Sequence, residues 1–150
     1  MLENLIHYPI FSDFNDADLA VIAPIFRFAS YTPGSIILKQ GEKANCLYLL
    51  LAGKIDIIYK PYDGKPIKLT SLSAGNAFGW SAVLGSELYS SSVICVSPVD
   101  VFKVCGPDLR DLKEKHPRIS ALIMDRLARS VSTRWSSAQR QVASMISQSL

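Results

Sequence analysis

Short apolar runs with polar interruptions organise the middle of the chain. From Phe28 to Gly106 they are separated by glycine, proline, asparagine or aspartate, at the spacing of roughly 8–12 residues that is typical of an all-β sandwich or barrel. We predict strands at 28–31, 35–39, 47–51, 54–60, 66–72, 91–96 and 99–105. The Asp63-Gly64 pair, between two of these runs, favours a tight hairpin turn with positive φ angles. Four glycines at strand junctions are interpreted as turn residues: Gly34, Gly41, Gly53 and Gly75.

A helical pattern precedes the β region. Asp16 is placed to cap a short helix through Leu19 and Ile22, and Pro24 would stop it because proline lacks the N–H that a helix interior requires. After Gly106 the pattern becomes helical again, and a short helix is predicted to end near Lys115.

The pair His116-Pro117 separates that helix from a longer one, because the residue before a proline disfavours helical backbone. The longer helix is predicted from Ile119 to about Ile146, a range without glycine or proline. It carries an apolar stripe at alternating spacings of three and four. The stripe consists of Ala121, Met124, Ala128, Val131, Trp135, Ala138, Val142 and Met145.

A second apolar set occupies only the first half of this long helix. It comprises Ile119, Leu122, Ile123 and Leu127. We expect the second set to pack on the chain's own β region, and the stripe to meet another helix, most simply in a homodimer. The alternative is a helix packed wholly within the monomer.

Composition narrows the class of protein. The 150 residues are 49% hydrophobic and 19% charged, with a net charge of +3, which indicates one globular domain and is too weakly basic to argue for nucleic-acid binding. No apolar run approaches the ~20 residues of a membrane helix, so we expect no membrane partner. The chain shows no catalytic constellation, and we expect no enzyme activity.

The cysteines and histidines do not suggest a metal site. Cys46, Cys95 and Cys105 lack the CxxC spacing, and we expect free, buried thiols in a reducing compartment, hence a cytoplasmic protein. His7 and His116 are far apart in sequence and have no acidic or cysteine neighbour at ligand spacing. We therefore predict no metal.

Four short motifs in this order resemble one known family. They are Ile10-Phe11-Ser12-Asp13-Phe14, Tyr31-Thr32-Pro33-Gly34-Ser35-Ile36-Ile37, Gln40-Gly41-Glu42, and Leu47-Tyr48-Leu49-Leu50 followed by Gly53-Lys54-Ile55. Together they resemble the cyclic nucleotide-binding domain, as in the catabolite activator protein and the regulatory subunits of the cyclic-AMP-dependent kinase. The resemblance implies one domain over 1–150: N-terminal helices (1–27), a double-stranded β-helix or jelly-roll barrel (28–106), and two C-terminal helices (107–149), the last one long.

The family binds its ligand with a phosphate-binding cassette, which the resemblance places at 78–93. The usual pattern is Phe-Gly-Glu-Leu-Ala, with an Arg and small residues further on; Glu accepts the ribose hydroxyl and Arg donates to the phosphate. The implied ligand-binding residues here are Phe78, Gly79, Trp80, Ser81, Ala82, Tyr89, Ser90 and Ser91. Trp80 stands at the Glu position and Tyr89 at the Arg position, where they would either stack on a ring or fill the pocket.

The family also closes its site with a polar residue of the long helix, which implies Ser132, Thr133 or Arg134 here. We expect a non-catalytic ligand sensor that signals through its dimerisation helix, for cyclic AMP, cyclic GMP or another small polar or anionic ligand. The alternative is a ligand-free dimerisation or protein-interaction module whose pocket is plugged by Trp80. Because the chain ends at Leu150 without a helix-turn-helix, we expect no direct DNA binding and signalling through a second copy or a partner protein.

Overall fold

The computed structural model describes residues 8–83 and 86–129. Within them the chain forms three α-helices and eight strands. The helices, α1 to α3, span Asp16–Ile22, Gly106–Lys115 and Pro117–Arg129. The strands, β1 to β8, span Arg27–Tyr31, Ile36–Leu38, Cys46–Ala52, Ile55–Tyr59, Ile67–Leu72, Ala77–Phe78, Ser92–Cys95 and Val99–Cys105. Short 3₁₀ helices span Pro9–Phe11, Ala23–Ile25 and Trp80–Ala82.

The strands form two four-stranded sheets in which every pair is antiparallel. The first sheet has the order β1-β8-β3-β6 and the second the order β2-β7-β4-β5. This is a jelly roll with an N-terminal helix and two C-terminal helices, so the predicted fold class is confirmed. Each of the seven predicted strands coincides with an observed one; β6 escaped prediction because it has only two residues.

The space between the two sheets is filled by side chains from both, which we call the interior cluster. Its buried members are Leu38, Cys46, Tyr48, Leu50, Ile55, Ile57, Leu72, Phe78, Tyr89, Val93, Cys95, Val99 and Val101. Successive side chains of a strand point to opposite faces, so β3 directs Tyr48 and Leu50 inward while Leu47 and Leu49 point outward. Because both faces of β3 are covered, this strand is a continuous apolar run.

The outer face of the first sheet is covered by the helices, and we call this second core the helix-side cluster. Its buried members are Phe11, Phe14, Leu19, Ile22, Ala23, Phe26, Leu47, Leu49, Ala77, Trp80, Phe102, Val104, Leu109, Leu112, Ile119, Ile123 and Leu127. Among the described residues, no helix is long and apolar enough to cross a membrane.

Helix α3 docks on this core as predicted. Ile119, Ile123 and Leu127 are all at most 5% exposed, while Ala121 and Ala128 lie on the exposed side of the same helix. Spacings of three and four place residues on one helix face, which accounts for the two faces. The second apolar set therefore packs on the chain's own core. Of the described stripe residues, Ala121 and Ala128 are exposed, while Met124 packs against that core.

Two ion pairs join α3 to the N-terminal segment. Arg118 donates to the nearly buried carboxylate of Asp18 at 2.6 Å, and Arg126 pairs with Asp13. A buried carboxylate is costly without a partner, so the Asp18 pair holds the first turn of α3 against α1.

Two local predictions are corrected by the structure. The cap of α1 is Asn15, whose side-chain oxygen accepts from the Asp18 N–H at 2.8 Å, because a cap residue precedes the first helical residue. Helix α1 ends at Ile22, before Pro24, as predicted, and Pro24 lies in the 3₁₀ helix that follows. Between β4 and β5, neither Asp63 nor Gly64 has a positive φ, because the connection is wider than a two-residue hairpin. The four junction glycines do adopt positive φ.

The expectation of free thiols is wrong for two cysteines. Cys46 and Cys105 are direct cross-strand neighbours on β3 and β8, and the structure pairs them as a disulfide. Only Cys95 among the three is free, and it is buried. The pairing depends on the register of two strands that lie 59 residues apart in sequence, which no Cys spacing reveals. The cysteines therefore no longer argue for a reducing compartment.

Candidate functional site

The candidate cassette, residues 78–93, connects the two sheets at one end of the jelly roll. It leaves the first sheet at the end of β6, passes through the 3₁₀ helix Trp80–Ala82, and enters the second sheet at the start of β7. Its far end is held to the loop before β3, because the Tyr89 N–H donates to the Glu42 carbonyl at 2.9 Å and the Gly41 N–H donates to the Tyr89 carbonyl at 3.0 Å. The segment is therefore attached to both sheets.

Gly79 lies where the cassette approaches β3 most closely. Its φ is +83°, which favours glycine. A Cβ there would lie 3.0 Å from the Cys46 carbonyl oxygen and 3.4 Å from Cδ2 of Tyr48. The contact with the Cys46 carbonyl is tight and the contact with Tyr48 is close to ordinary van der Waals distance, so the backbone of the cassette reaches the edge of the interior cluster at this residue.

Trp80, the next residue, faces the other way. Its side chain is 9% exposed and belongs to the helix-side cluster, together with Leu109, Ile119 and Ile123. Its indole N–H is buried without a hydrogen-bond partner. The hypothesis that Trp80 plugs the pocket is therefore wrong: the reversal at Gly79 sends the indole outside the roll, among the helices.

Tyr89 is the aromatic residue of the cassette that occupies the interior cluster. It is 7% exposed, and its hydroxyl accepts from the Cys46 N–H at 3.0 Å and donates to the Cys46 carbonyl at 2.7 Å. Burial raises the pKa of this hydroxyl, so it stays protonated and able to donate. Both hydrogen bonds are made to β3, so the Tyr89 side chain connects the cassette to that strand.

The small residues of the cassette are distributed over several environments. Ser81 and Ala82 are half-buried in the 3₁₀ helix, Ser90 is exposed and Ser91 is 8% exposed. Ala82 also lines a groove of about 500 Å³ between the cassette, α2 and α3, in which Leu109 and Met124 supply apolar walls. The structure thus brings Phe78, Gly79, Tyr89 and Ser91 to the roll and directs Trp80 and Ala82 toward the helices.

Beside the interior cluster lies a cation, Lys103, that was not among the residues predicted for the site. The rings of Tyr48 and Phe78 stack with centroids 5.2 Å apart and an interplanar angle of 4°, and the ammonium of Lys103 lies 5.8 Å from the Tyr48 ring centroid. Burial raises the pKa of the Tyr48 hydroxyl well above its ordinary value, and the neighbouring Tyr31 adds to this effect. Side chains alternate between the two faces of β8, so Lys103 shares the inner face with Val99 and Val101. This alternation is the signal by which the sequence could have indicated Lys103.

Some predicted residues lie outside the described part of the chain. This holds for the helix residues implied to close the site, Ser132, Thr133 and Arg134, and for the later members of the stripe, Val131, Trp135, Ala138, Val142 and Met145. Of the stripe residues that are described, Met124 is half-buried and Ala128 is exposed.

Comparison with known proteins decides the family. The model of the cyclic nucleotide-binding domain matches residues 28–116, from β1 through α2. The chain belongs to this family. The match includes the candidate cassette and three of the four motifs, so the resemblance to this family is confirmed.

The proteins similar to this chain include a transcriptional regulator and a glutaminase. The chain is 31% identical over 116 residues to the cAMP-activated global transcriptional regulator CRP of Pasteurella multocida, covering 77% of this chain and 54% of that protein. It is 30% identical over 130 residues to Glutaminase 1 of Bradyrhizobium diazoefficiens, covering 87% of this chain and 20% of that enzyme. The chain thus spans about a fifth to about half of these two relatives.

Solved structures show the same architecture. A putative cyclic nucleotide-binding protein from Geobacter metallireducens is 30% identical, with a TM-score of 0.71 over 85% of this chain and 92% of that one. A cyclic nucleotide-binding domain from Methylobacillus flagellatus has a TM-score of 0.75 at 18% identity, over 95% of this chain and 80% of that one. The latter supports the fold alone.

Proposed function

We propose that this chain is a non-catalytic, ligand-sensing regulatory domain that binds a cyclic nucleotide at its cassette and signals through its C-terminal helices. One observation carries the proposal: two consecutive cassette residues face the two cores. Gly79 abuts Tyr48 of the interior cluster, and Trp80 packs in the helix-side cluster with Ile119 and Ile123 of α3. A ligand that shifts the backbone at Gly79 therefore also moves the Trp80 indole, against which α3 packs. The ligand can in this way shift the equilibrium between two positions of α3.

We infer that nucleotide recognition is weaker than the family pattern provides. The position of the family's Glu holds Trp80, whose ring is outside the roll, and the position of its Arg holds Tyr89, whose hydroxyl is bonded to Cys46. A hydrogen bond to a charged group contributes about 1.5–3 kcal/mol. If no other residue replaces them, the loss of both contacts weakens a micromolar site to a Kd of ~1 mM.

Thermal unfolding with cyclic AMP and cyclic GMP at ~10 mM tests this proposal. A ligand at about ten times its Kd stabilises the folded state by ~1.4 kcal/mol, which raises Tm by about 3–6 °C for a domain of this size. Linear AMP at the same ionic strength is the control and should produce a smaller rise. If neither cyclic nucleotide raises Tm beyond linear AMP, the proposed function is wrong.

We further propose that the domain works as a homodimer through the C-terminal helix. Ala121 and Ala128 are exposed on the side of α3 opposite Ile123 and Leu127, where they begin an apolar stripe that the sequence continues beyond Arg129. Small apolar residues at such positions allow two helices to approach closely. The dimer interface would then lie on the other side of α3 from the helix-side cluster, in which Trp80 packs.

Replacing Ala128 with glutamate should dissociate this dimer. A carboxylate buried in an apolar helix seam costs at least about 2 kcal/mol, which raises the dimer dissociation constant by at least ~30-fold. Sedimentation of the variant should show a monomer where the parent chain shows a dimer. Ala74→Glu is the matched control, because Ala74 is exposed in the turn between β5 and β6, and it should leave the dimer intact. An Ala128→Glu variant with the parent's mass would contradict the stripe as the interface.

A second candidate function is a ligand-free dimerisation or protein-interaction module. The observation that favours it is the filling of the interior at the cassette by Tyr89, with both of its hydroxyl hydrogen bonds made to β3. Under this alternative the cyclic nucleotides leave Tm unchanged, while Ala128→Glu still alters the assembly. The two experiments together therefore distinguish a ligand sensor from a ligand-free module whose interior is filled by Tyr89.

A further inference from the structure

Lys103 is a cationic side chain on the interior face of the jelly roll. In β8 the residues Val99, Val101 and Cys105 belong to or pack against the interior cluster, while Phe102 and Val104 belong to the helix-side cluster. Since strand residues alternate between faces, Lys103 shares the inner face. It is half-buried there, an unusual position for a lysine without a charged partner.

Lys103 belongs to a row of side chains that ends at the cassette. Its cross-strand neighbours are Arg27 on β1 and Tyr48 on β3, and Tyr48 in turn pairs with Phe78 on β6. Strands β6 and β8 flank β3 on opposite sides, so Phe78 and Lys103 lie on opposite sides of the Tyr48 ring. Cδ2 of that ring comes within 3.4 Å of the Cβ position of Gly79, and the Lys103 ammonium lies 5.8 Å from its centroid. One ring therefore separates Lys103 from the cassette backbone.

The two cations of this row have no counter-ion in the described structure. The ion pairs between described residues include neither Lys103 nor Arg27. Like charges directly opposite each other on neighbouring strands destabilise a sheet, and an ammonium held near an aromatic interior is partly deprived of water. Arg27 is exposed and Lys103 is half-buried, so an anion could reach the pair from solvent and would pair with both cations.

We propose that Lys103, with Arg27 beside it, binds the phosphate of the cyclic nucleotide and replaces the cation that the cassette lacks. This inference rests on the proposed function, because it assigns the phosphate contact of the same site. The described cassette contains no Lys or Arg, and Lys103 is a cation of the inner face that lies across the Tyr48 ring from Gly79. Adenosine, which has the same base and sugar without the phosphate, does not use this contact.

Nuclear magnetic resonance titrations of cyclic AMP and adenosine into the parent chain and Lys103→Gln test the assignment. We expect Lys103→Gln to raise the Kd for cyclic AMP about ten- to a hundredfold, the range for one charge-assisted hydrogen bond, and to change the Kd for adenosine less than about twofold. Lys103→Arg keeps the charge and should retain most of the affinity. Lys54→Gln is the matched control, because Lys54 is exposed in the turn between β3 and β4 and should behave as the parent chain.

The Tm measured without ligand distinguishes a loss of binding from a loss of folding. Since Lys103→Gln removes one of two opposed cations, its Tm without ligand should equal or exceed that of the parent chain. Equal losses for cyclic AMP and adenosine, or no loss for either, overturn the assignment of Lys103 while the proposed function stands. If the parent chain binds no cyclic nucleotide, the proposed function fails. The inference is then decided with inorganic phosphate, which must shift the amide signals of Tyr48 and Gly79 in the parent chain but not in Lys103→Gln.

Discussion

Replacing Trp80 with glutamate should strongly destabilise the chain and should not restore nucleotide binding. Removing a buried tryptophan costs about 3–5 kcal/mol, and a carboxylate in the helix-side cluster adds a desolvation penalty. The total exceeds ~4 kcal/mol, a large share of the ~5–15 kcal/mol by which a domain of this kind is stable. By family pattern alone, the same substitution would look like a repair of the ribose contact.

Urea unfolding of Trp80→Glu measures this effect. Tyr62→Glu is the matched control, because Tyr62 is 95% exposed and the same change from aromatic to carboxylate should leave its free energy of unfolding within about 0.5 kcal/mol. Trp80→Phe keeps an aromatic ring and should fold with a smaller loss, so the position can be studied even where the glutamate variant does not fold. A Trp80→Glu variant as stable as the parent chain, with tighter cyclic AMP binding, would place the side chain in the roll and refute the arrangement described here.

Replacing Ile123 with alanine should detach α3 from the jelly roll. Ile123 is fully buried in the helix-side cluster, and truncation to alanine at such a site costs about 2–5 kcal/mol because it loses burial and leaves a cavity. For a domain of this size the expected decrease in Tm is on the order of 10 °C. Since Trp80 belongs to the same cluster, the variant should also weaken any coupling between ligand binding and the position of α3.

Thermal unfolding of Ile123→Ala and Met124→Ala makes the comparison within one turn of α3. Met124 is only half-buried, so its truncation should cost clearly less than that of Ile123, although the methionine side chain is of similar size. Equal losses at the two positions would contradict the assignment of Ile123 to the face that packs on the core. A larger effect of Met124→Ala on dimer formation than of Ile123→Ala would agree with the proposed division of the helix into two faces.

Hydrophobic periodicity identified the main elements of the fold because it reports burial directly. Strands of the jelly roll are short and bounded by turn residues, so seven of them could be read from the chain, and the two faces of α3 followed from spacings of three and four. The errors were local. The cap of α1 shifted by one residue, and the Asp63-Gly64 turn lacked positive φ, because several sequences can satisfy a cap or a wide turn.

The candidate site was only partly predictable. The cassette and its glycine could be located from the sequence, because the residues of the motif are contiguous in the chain. It could not say that Trp80 and Tyr89 would face opposite cores, since their directions depend on the backbone reversal at Gly79 and on the hydrogen bonds between Tyr89 and Cys46. It also missed Lys103, whose significance appears only when β1, β3 and β8 lie side by side.

The sequence by itself determined the β roll, its flanking helices, the family and the position of the cassette, because each of these is encoded in local periodicity or in contiguous motifs. The tertiary structure alone decided which side chains meet. Strand register joined Cys46 to Cys105 across 59 residues and placed the two cations of the row opposite each other, while the backbone at Gly79 directed Trp80 toward the helices. The physical reason is that contacts across a sheet depend on the pairing of distant segments, which no local spacing specifies.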